Sequence, residues 1–224
     1  MRKITINLAA VAAFCIVVAS PALVSSSCAT PQTEQEDTTI IREDLGITAL
    51  KYSSPEVPSS IEFCGKVIDL SRFDRHERMD RELLAFTYMH STSLQMLKKA
   101  NRYFPIVEPI LKENGIPDDF KYLMVIESNM NPTARSSAGA AGLWQFMQGT
   151  GRDYGLEVNN NVDERYHIEK ATRAACRYLK DAYAKYKDWV AVAASYNAGQ
   201  ARIASQLAKQ NVDDSLDLQL VEET

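Results

Sequence analysis

The segment that most restricts the fold lies near the C-terminal end, where residues 189–194 read Trp-Val-Ala-Val-Ala-Ala. The residues Asn-Ala-Gly at 197–199 follow and are typical of a helix end. A helix that is apolar on every side cannot lie on a surface, so other elements must surround it. We therefore predict an all-α domain packed around a central apolar helix over residues 188–196.

Helical periodicity runs through most of the chain around this segment. Apolar residues recur at three- and four-residue spacings from Met79 to Tyr103, and we expect Pro105 to end that helix. Residues 106–113 predict a second helix, and the acidic Pro-Asp-Asp at 117–119 predicts the start of a third. A long helix over 167–186 carries small residues on its inner side. The segment 61–70 lacks this period and predicts one short strand or an irregular packing segment.

The N-terminus has the pattern of an export signal over residues 1–27. A cationic start precedes an apolar run from Leu8 to Val24, and serines then lead to Cys28. A cysteine in this position resembles the acylated residue of a bacterial lipoprotein, so we expect Cys28 to be lipidated and the protein to be periplasmic, on the outer membrane. Two alternatives stay open. Ser25 stands where that signal usually has Leu, which favours ordinary cleavage near Ser26, and the apolar run could also be a retained anchor.

Residues 28–60 are rich in Thr, Gln, Glu, Asp, Ser and Pro, a mixture that cannot bury enough apolar surface to offset the entropy of ordering. We expect a flexible linker there and a folded domain over residues 61–224. That domain contains Cys64 and Cys176. The two can pair in an oxidising compartment, or Cys176 can be a small buried hydrophobe.

Charge and composition exclude several classes of partner. The chain has 25 Lys and Arg against 29 Asp and Glu, a net charge of −4, so it lacks the basic surplus of a nucleic-acid-binding domain. Its histidines, His76, His90 and His167, are scattered without the spacing of metal ligands. We expect no metal, no cofactor, no nucleic acid and a monomer.

One glutamate interrupts the apolar side of the third helix. Phe120, Leu123 and Met124 share that side, and Glu127 comes next on it, so its carboxyl should face the interior. It also lies near the helix end before Pro132, where the backbone dipole disfavours a negative charge. Both effects raise the pKa of the carboxyl, as general-acid catalysis of glycoside cleavage requires. The alternative is a glutamate whose tip reaches solvent at a frayed end.

The residues after Glu127 favour a ligand site. Small residues over 134–142 are expected to let a chain-shaped ligand approach the backbone. Trp144 and Phe146 can stack on sugar rings or pack in the core, and the amide of Gln145 can bind polar groups. Tyr196 and Asn197 end the central helix, where they either bind a ligand or serve as ordinary helix-capping residues.

Three ordered motifs resemble those of the lysozyme-like lytic transglycosylases, the soluble lytic transglycosylase catalytic-domain family. They are Glu-Ser at 127–128, GLWQFM at 142–147 and SYNAG at 195–199. The resemblance implies a lysozyme-like helical domain that cleaves peptidoglycan glycan strands between N-acetylmuramic acid and N-acetylglucosamine, without water, leaving 1,6-anhydromuramic ends. It also implies that Glu127 is the sole catalytic acid and base. The implied substrate-binding residues are Ser128, Gln145, Met147, Tyr196 and Asn197.

Several alternatives remain beside this resemblance. Asp153, Asp163 and Glu164 could supply the second carboxylate of a two-carboxylate glycosidase. A goose-type lysozyme-like hydrolase and an inactive wall-binding or scaffold protein are the other functions. Gln148 and the serine at 195 depart from the family's more usual Pro and Ala. Residues from Leu220 resemble the start of a further family helix, so we expect the chain to be either a fragment or an early-terminated protein.

Overall fold

The computed structural model describes residues 55–210 and 215–217. The predicted signal segment, Cys28 and the linker up to residue 54 lie outside these residues, as does the predicted helix from Leu220. Among the described residues, no helix has the length and apolarity needed to cross a membrane.

The described chain forms a small β-hairpin followed by seven α-helices, which confirms the all-α class. Short 3-10 helices at Asp118–Phe120, Glu164–Tyr166 and Ser215–Asp217 connect or follow the longer ones. The strands and helices are β1 (Ser60–Phe63), β2 (Lys66–Asp69), α1 (Phe73–Tyr88), α2 (His90–Glu113), α3 (Lys121–Ser128), α4 (Gln148–Asp153), α5 (Ile168–Tyr186), α6 (Trp189–Ala198) and α7 (Gln200–Gln210).

The segment expected to form one strand or an irregular piece is a two-stranded antiparallel hairpin. Its turn is made by Cys64 and Gly65, with φ of 53° and 81°. Two consecutive positive φ values match the right-handed twist of the flanking strands. The backbone N–H of Cys64 donates to the Oδ2 atom of Asp119 at 2.6 Å, and the ring of Phe63 packs 5.9 Å from that of Phe120. The hairpin therefore covers the start of α3.

The single helix expected from Met79 to Pro105 is two helices in the structure, because α1 ends at Tyr88 and α2 begins at His90. The helix α2 then continues past Pro105 to Glu113, so the prediction of a separate helix after that proline is wrong. Pro105 and Pro109 lie on its exposed side. A proline inside a helix costs about 3 kcal/mol or more, whereas burying one large apolar side chain contributes about 1.5–3 kcal/mol. The buried side runs past both prolines, so packing offsets the lost hydrogen bonds. Its members are Met96, Ala100, Tyr103, Phe104, Val107, Ile110 and Leu111.

The predicted central helix is α6, and residues 190–193 are buried in it. Asp188 caps its start by accepting a hydrogen bond from the N–H of Val190 at 2.9 Å. The small residues of α5 face inward as predicted, and Cys176 among them is buried with its Sγ 4.0 Å from the carbonyl oxygen of Ile110. Cys176 forms no disulfide with Cys64, so it is the small buried hydrophobe of the second alternative. The inner residues of α5 are Ala171, Ala174, Ala175, Leu179 and Ala182.

Candidate active site

Glu127 lies in the last turn of α3 and is half-buried. Phe120, Leu123 and Met124 are buried, which confirms that Glu127 continues the apolar side of the helix. Removal from water raises the pKa of its carboxyl from 4.5 to about 7. A carboxyl with this pKa is partly protonated at neutral pH, so it can both donate and accept a proton there.

The end of α3 comes earlier than Pro132. Asn129 and Met130 adopt left-handed conformations with φ of 51° and 52° directly after Ser128. The ammonium of Lys99 donates to the backbone oxygen of Asn129 at 3.0 Å. A cation at the negative end of a helix offsets its dipole, so burial is the dominant cause of the raised pKa of Glu127.

Residues 134–147, here called the site loop, are held against α3 and α6 by two hydroxyl groups. The Oγ atom of Ser128 lies 3.0 Å from the carbonyl oxygen of Leu143 and 2.9 Å from that of Met124. The phenol of Tyr196 donates to the carbonyl oxygen of Trp144 at 2.8 Å. Both side chains, predicted to bind substrate, thus also position the backbone of the site loop.

Gln145 is bound within the loop itself. Its Nε2 atom donates to the carbonyl oxygens of Gly142 at 2.8 Å and Ala134 at 3.3 Å, and its backbone has a φ of 48°. Two carbonyl acceptors fix which end of the amide is the nitrogen. The side-chain oxygen of Gln145 is therefore the end that can accept a hydrogen bond from a ligand.

These three side chains have one property in common. All three direct their polar protons at main-chain carbonyl oxygens. The single hydroxyl proton of Ser128 and of Tyr196 is used in this way, and so are both protons of the Gln145 amide. What remains for a ligand is a set of oxygen lone pairs. Tyr196 lies close enough to Glu127 that the carboxylate charge, after burial, raises the pKa of its phenol. The group therefore offers hydrogen-bond acceptors beside an acid.

Trp144 and Phe146 are core residues, with 0% and 3% of their surface exposed. The indole Nε1 of Trp144 donates to the Oγ1 atom of Thr172 at 2.9 Å. Neither ring presents a face to solvent, so core packing explains both and sugar stacking does not. Packing within the protein, rather than the approach of a ligand, explains why residue 142 is a glycine. A Cβ atom there would lie 1.9 Å from the backbone oxygen of Arg165.

Met147 and Asn197 differ from the other predicted site residues. Met147 precedes α4 and is 45% exposed, and Asn197 is exposed in the last turn of α6. Ser128, Gln145 and Tyr196 all make hydrogen bonds to the backbone of the site loop. Met147 and Asn197 lie next to these residues in sequence, but their side chains are exposed on the surface.

Two of the three acidic residues considered as a second carboxylate are paired with cations. Asp163 accepts two hydrogen bonds from the guanidinium of Arg165, which lowers the pKa of its carboxyl. Glu164 forms an ion pair with Lys170, and backbone and side-chain hydrogen bonds lower its pKa as well. Asp153 lies exposed at the end of α4. In the described part of the chain, no cluster of His, Cys, Asp and Glu could hold a metal ion.

Arg165 is the site residue that sequence analysis missed. It is 1% exposed, and its Nη1 atom donates to carbonyl oxygens of the site loop at Gly139 and Phe146. Nothing in the local pattern marks it, because an arginine directly after two acidic residues ordinarily predicts a solvated turn. The one signal in the sequence is the glycine at 142, since a glycine often marks a place where another backbone segment comes very close.

Comparison with known proteins adds to this geometry. The model of a family described as Transglycosylase SLT domain matches residues 105–217, half of the chain. The membrane-bound lytic murein transglycosylase D of Escherichia coli strain K12 is 30% identical over 153 residues, 66% of this chain and 33% of that protein. The peptidoglycan transglycosylase gp16 of Escherichia phage T7 is 33% identical over 95 residues, 41% of this chain and 7% of that protein. The chain thus spans about a third of the length of transglycosylase D.

Proposed function

The chain belongs to the Transglycosylase SLT domain family, and from that membership we propose that it is a peptidoglycan lytic transglycosylase. It cleaves the β-1,4 bond between N-acetylmuramic acid and N-acetylglucosamine and leaves 1,6-anhydromuramic ends. Its substrate is the glycan strand, and it acts as a monomer without a cofactor.

The observation that carries this proposal is a single acid with a pKa near neutral. Burial raises the pKa of Glu127 to about 7, whereas Asp163 and Glu164 have lowered pKa values and cation partners. A two-carboxylate glycosidase needs its carboxyls about 5–9.5 Å apart with one ionised next to the sugar. The oxygens of Asp163 bind Arg165, Glu164 is paired with Lys170 and Asp153 is exposed, so we propose that none of them serves as the second carboxylate and that the nucleophile comes from the substrate.

The proton balance of the reaction then closes on Glu127. The neutral carboxyl donates its proton to the leaving oxygen of N-acetylglucosamine as the bond from C1 of the muramic residue breaks. The resulting carboxylate accepts the proton of the muramic 6-hydroxyl while the oxygen of that hydroxyl bonds to C1. Glu127 is neutral again, no water is consumed, and the product carries a 1,6-anhydro ring.

The acceptor character of the site fits such a substrate. N-acetylated sugars carry an amide N–H and several hydroxyl groups, and these can donate to the oxygens of Ser128, Gln145 and Tyr196. We assign these three residues to substrate binding, with Asn197 and Met147 contacting the strand from the exposed side. A negatively charged ligand group would instead find lone pairs and a carboxyl, so the site disfavours it.

We also propose that Cys28 is acylated and holds the domain on the outer membrane through the linker that precedes β1. A lipid chain contributes the membrane affinity that the acidic, helical domain lacks. Metabolic labelling with a fatty-acid analogue tests this. The wild type should be labelled and the Cys28→Ala variant should not, and an unlabelled, soluble wild type would refute the assignment.

Mass spectrometry of the products from purified murein tests the activity. Anhydro ends are lighter than hydrolysed ends by two hydrogens and one oxygen, so the wild type should release fragments lighter by one water. Reducing ends would show a goose-type lysozyme-like hydrolase instead. Absence of any release, in a protein whose unfolding is cooperative, would show an inactive wall-binding protein. The Glu127→Gln variant is the matched inactive control.

A further inference from the structure

We propose that Arg165 is a positioning residue, which holds the site loop in the conformation that presents Gln145 to the glycan strand. The inference rests on the proposed function. It assigns Arg165 no contact with the substrate and no part in proton transfer.

The first step is the connection of Arg165 to both parts of the loop. Its Nη1 atom lies 2.7 Å from the carbonyl oxygen of Gly139 and 2.9 Å from that of Phe146. The Phe146 oxygen also accepts from the N–H of Ala141 at 3.0 Å. One nitrogen thus joins the turn at residue 139 to the residue directly after Gln145.

The second step is the fixed orientation of the guanidinium. Its Nε and Nη2 atoms donate to the two carboxylate oxygens of Asp163, at 2.9 Å and 2.6 Å. Asp163 Oδ1 also accepts from the backbone N–H of Arg165 at 3.2 Å. A two-point pair of this kind leaves little freedom of rotation. The Nη1 atom therefore points at the loop carbonyls in one direction.

The third step is the backbone of Arg165, which limits the loop from another side. A Cβ atom on Gly142 would lie 1.9 Å from the Arg165 carbonyl oxygen, so main chain touches main chain there. Gly142 also accepts the Nε2 hydrogen bond of Gln145 at 2.8 Å. Backbone and side chain of Arg165 together hold the segment from 139 to 146, which includes Gln145.

The chemistry distinguishes this role from ordinary core packing. A buried ion pair can often be replaced by apolar residues of similar volume without loss of stability. An apolar side chain at 165, however, cannot donate to the oxygens of Gly139 and Phe146. Arginine at this position therefore contributes a particular loop geometry that an apolar residue could not supply. Since Glu127 lies on α3 and makes no hydrogen bond to Arg165 in the described residues, loss of Arg165 should weaken substrate binding more than the proton-transfer step.

The test separates loop geometry from stability. The double variant Arg165→Met/Asp163→Asn removes both charges and keeps similar volume, so its Tm should stay within a few degrees of the wild type. Its KM for soluble glycan strands should rise about tenfold or more, with a smaller change in kcat. Leu83→Ala is the control, because it creates a cavity at a buried position of α1, a helix that contributes no residue to the site loop. It should lower Tm and leave KM unchanged at temperatures where it is folded.

A second variant covers the case in which the double variant does not fold. Arg165→Lys keeps the positive charge, but a single ammonium cannot bind both oxygens of Asp163 and also donate to Gly139 and Phe146, so KM should rise here too. An unchanged KM in either folded variant would overturn the positioning role. The side-chain amide resonances of Gln145 supply a readout that does not need turnover. In the wild type they should be shifted and protected, and in both variants they should move to the values of exposed glutamine. A wild type without murein turnover would contradict the proposed function alone.

Discussion

Glu127 and Asp163 both bear carboxyl groups close to the site loop, and their protonation differs. Burial without a neighbouring cation raises the pKa of Glu127 to about 7. Asp163 is also withdrawn from water, with 25% of its side chain exposed, but hydrogen bonds from Arg165 lower its pKa. The first carboxyl retains a proton near neutral pH, and the second does not. The difference shows that a carboxyl buried without a cation works as an acid, whereas a carboxyl buried beside a cation works as its counter-ion.

The largest expected effect separates the two roles through activity. Glu127→Gln keeps the shape of the side chain but cannot transfer a proton, so turnover on murein should fall at least 10²- to 10⁴-fold, the range typical of general acid–base groups. The Tm should be retained or raised, because the variant removes a carboxyl from a site that penalises its charged form. Turnover assays and thermal melts measure both. Wild-type murein release by this variant would refute the assignment of Glu127.

The second effect concerns stability and has the opposite sign. Asp163→Asn leaves the charge of Arg165 buried without its counter-ion, which should lower the free energy of unfolding by about 3 kcal/mol. Denaturant unfolding with an unchanged m-value would measure the loss. Asp74→Asn is the matched control, since it breaks the exposed pair of Asp74 with Arg72 and should change stability little. An equal effect of the two substitutions would show that the Asp163 pair contributes no more than a surface pair.

The third effect compares the two carboxyls by pH. The folded pKa of Glu127 is raised, so its contribution to the free energy of unfolding is full below its ordinary value of 4.5 and is lost as the pH rises to about 7. The folded pKa of Asp163 is lowered, so the contribution of this carboxylate to the free energy of unfolding is present above its ordinary pKa of 3.8 and is lost as the pH falls. Between pH 4.5 and about pH 7, the free energy of unfolding of the wild type should fall relative to that of Glu127→Gln by at most about 1.4 kcal/mol per pH unit. Parallel curves for wild type and Glu127→Gln would contradict the raised pKa. Turnover should fall above about pH 7 for the same reason.

The smallest effect sharpens the account of why the pKa of Glu127 is raised. Lys99 donates to the carbonyl of Asn129 at the end of α3, so Lys99→Met removes a cation from the negative end of the helix. The free energy of unfolding should fall by about 0.3–1 kcal/mol. The upper pH limit of turnover should stay where it is in the wild type, because burial alone accounts for the raised pKa of Glu127. A limit that moves upward in Lys99→Met would show that this cation also acts on the carboxylate.

Much of this arrangement could be predicted from local sequence, and some of it could not. The position of Glu127 on the apolar side of α3 follows from its spacing to Phe120 and Met124, a property of one helix. The wrong end assigned to α2 at Pro105 came from the cost of a proline considered alone. The buried side of the same helix packs against α5, and that packing outweighs the cost. Local rules state what a segment prefers, and the core decides which preference prevails.

The substrate-binding assignments show the same limit at finer scale. The motifs placed Ser128, Gln145 and Tyr196 in one site by resemblance. Their order along the chain did not tell whether each side chain donates or accepts a hydrogen bond. The structure shows each of them donating to a main-chain oxygen, so that acceptors are left for a ligand. Hydrogen-bond direction depends on which carbonyls come within reach, and that is settled only when distant segments pack.

By itself, the sequence determined the helical class, the buried place of α6, the long helix α5 with its small inner residues and the one glutamate on an apolar side. Each of these depends on spacing within a single segment, where helical geometry turns sequence distance into spatial distance. Only the tertiary structure decided the hairpin over α3, the passage of α2 through two prolines and the burial of Arg165 beneath the site loop. Those features depend on contacts between residues far apart in the chain, as between Arg165 and Gly139, and no local spacing encodes such contacts.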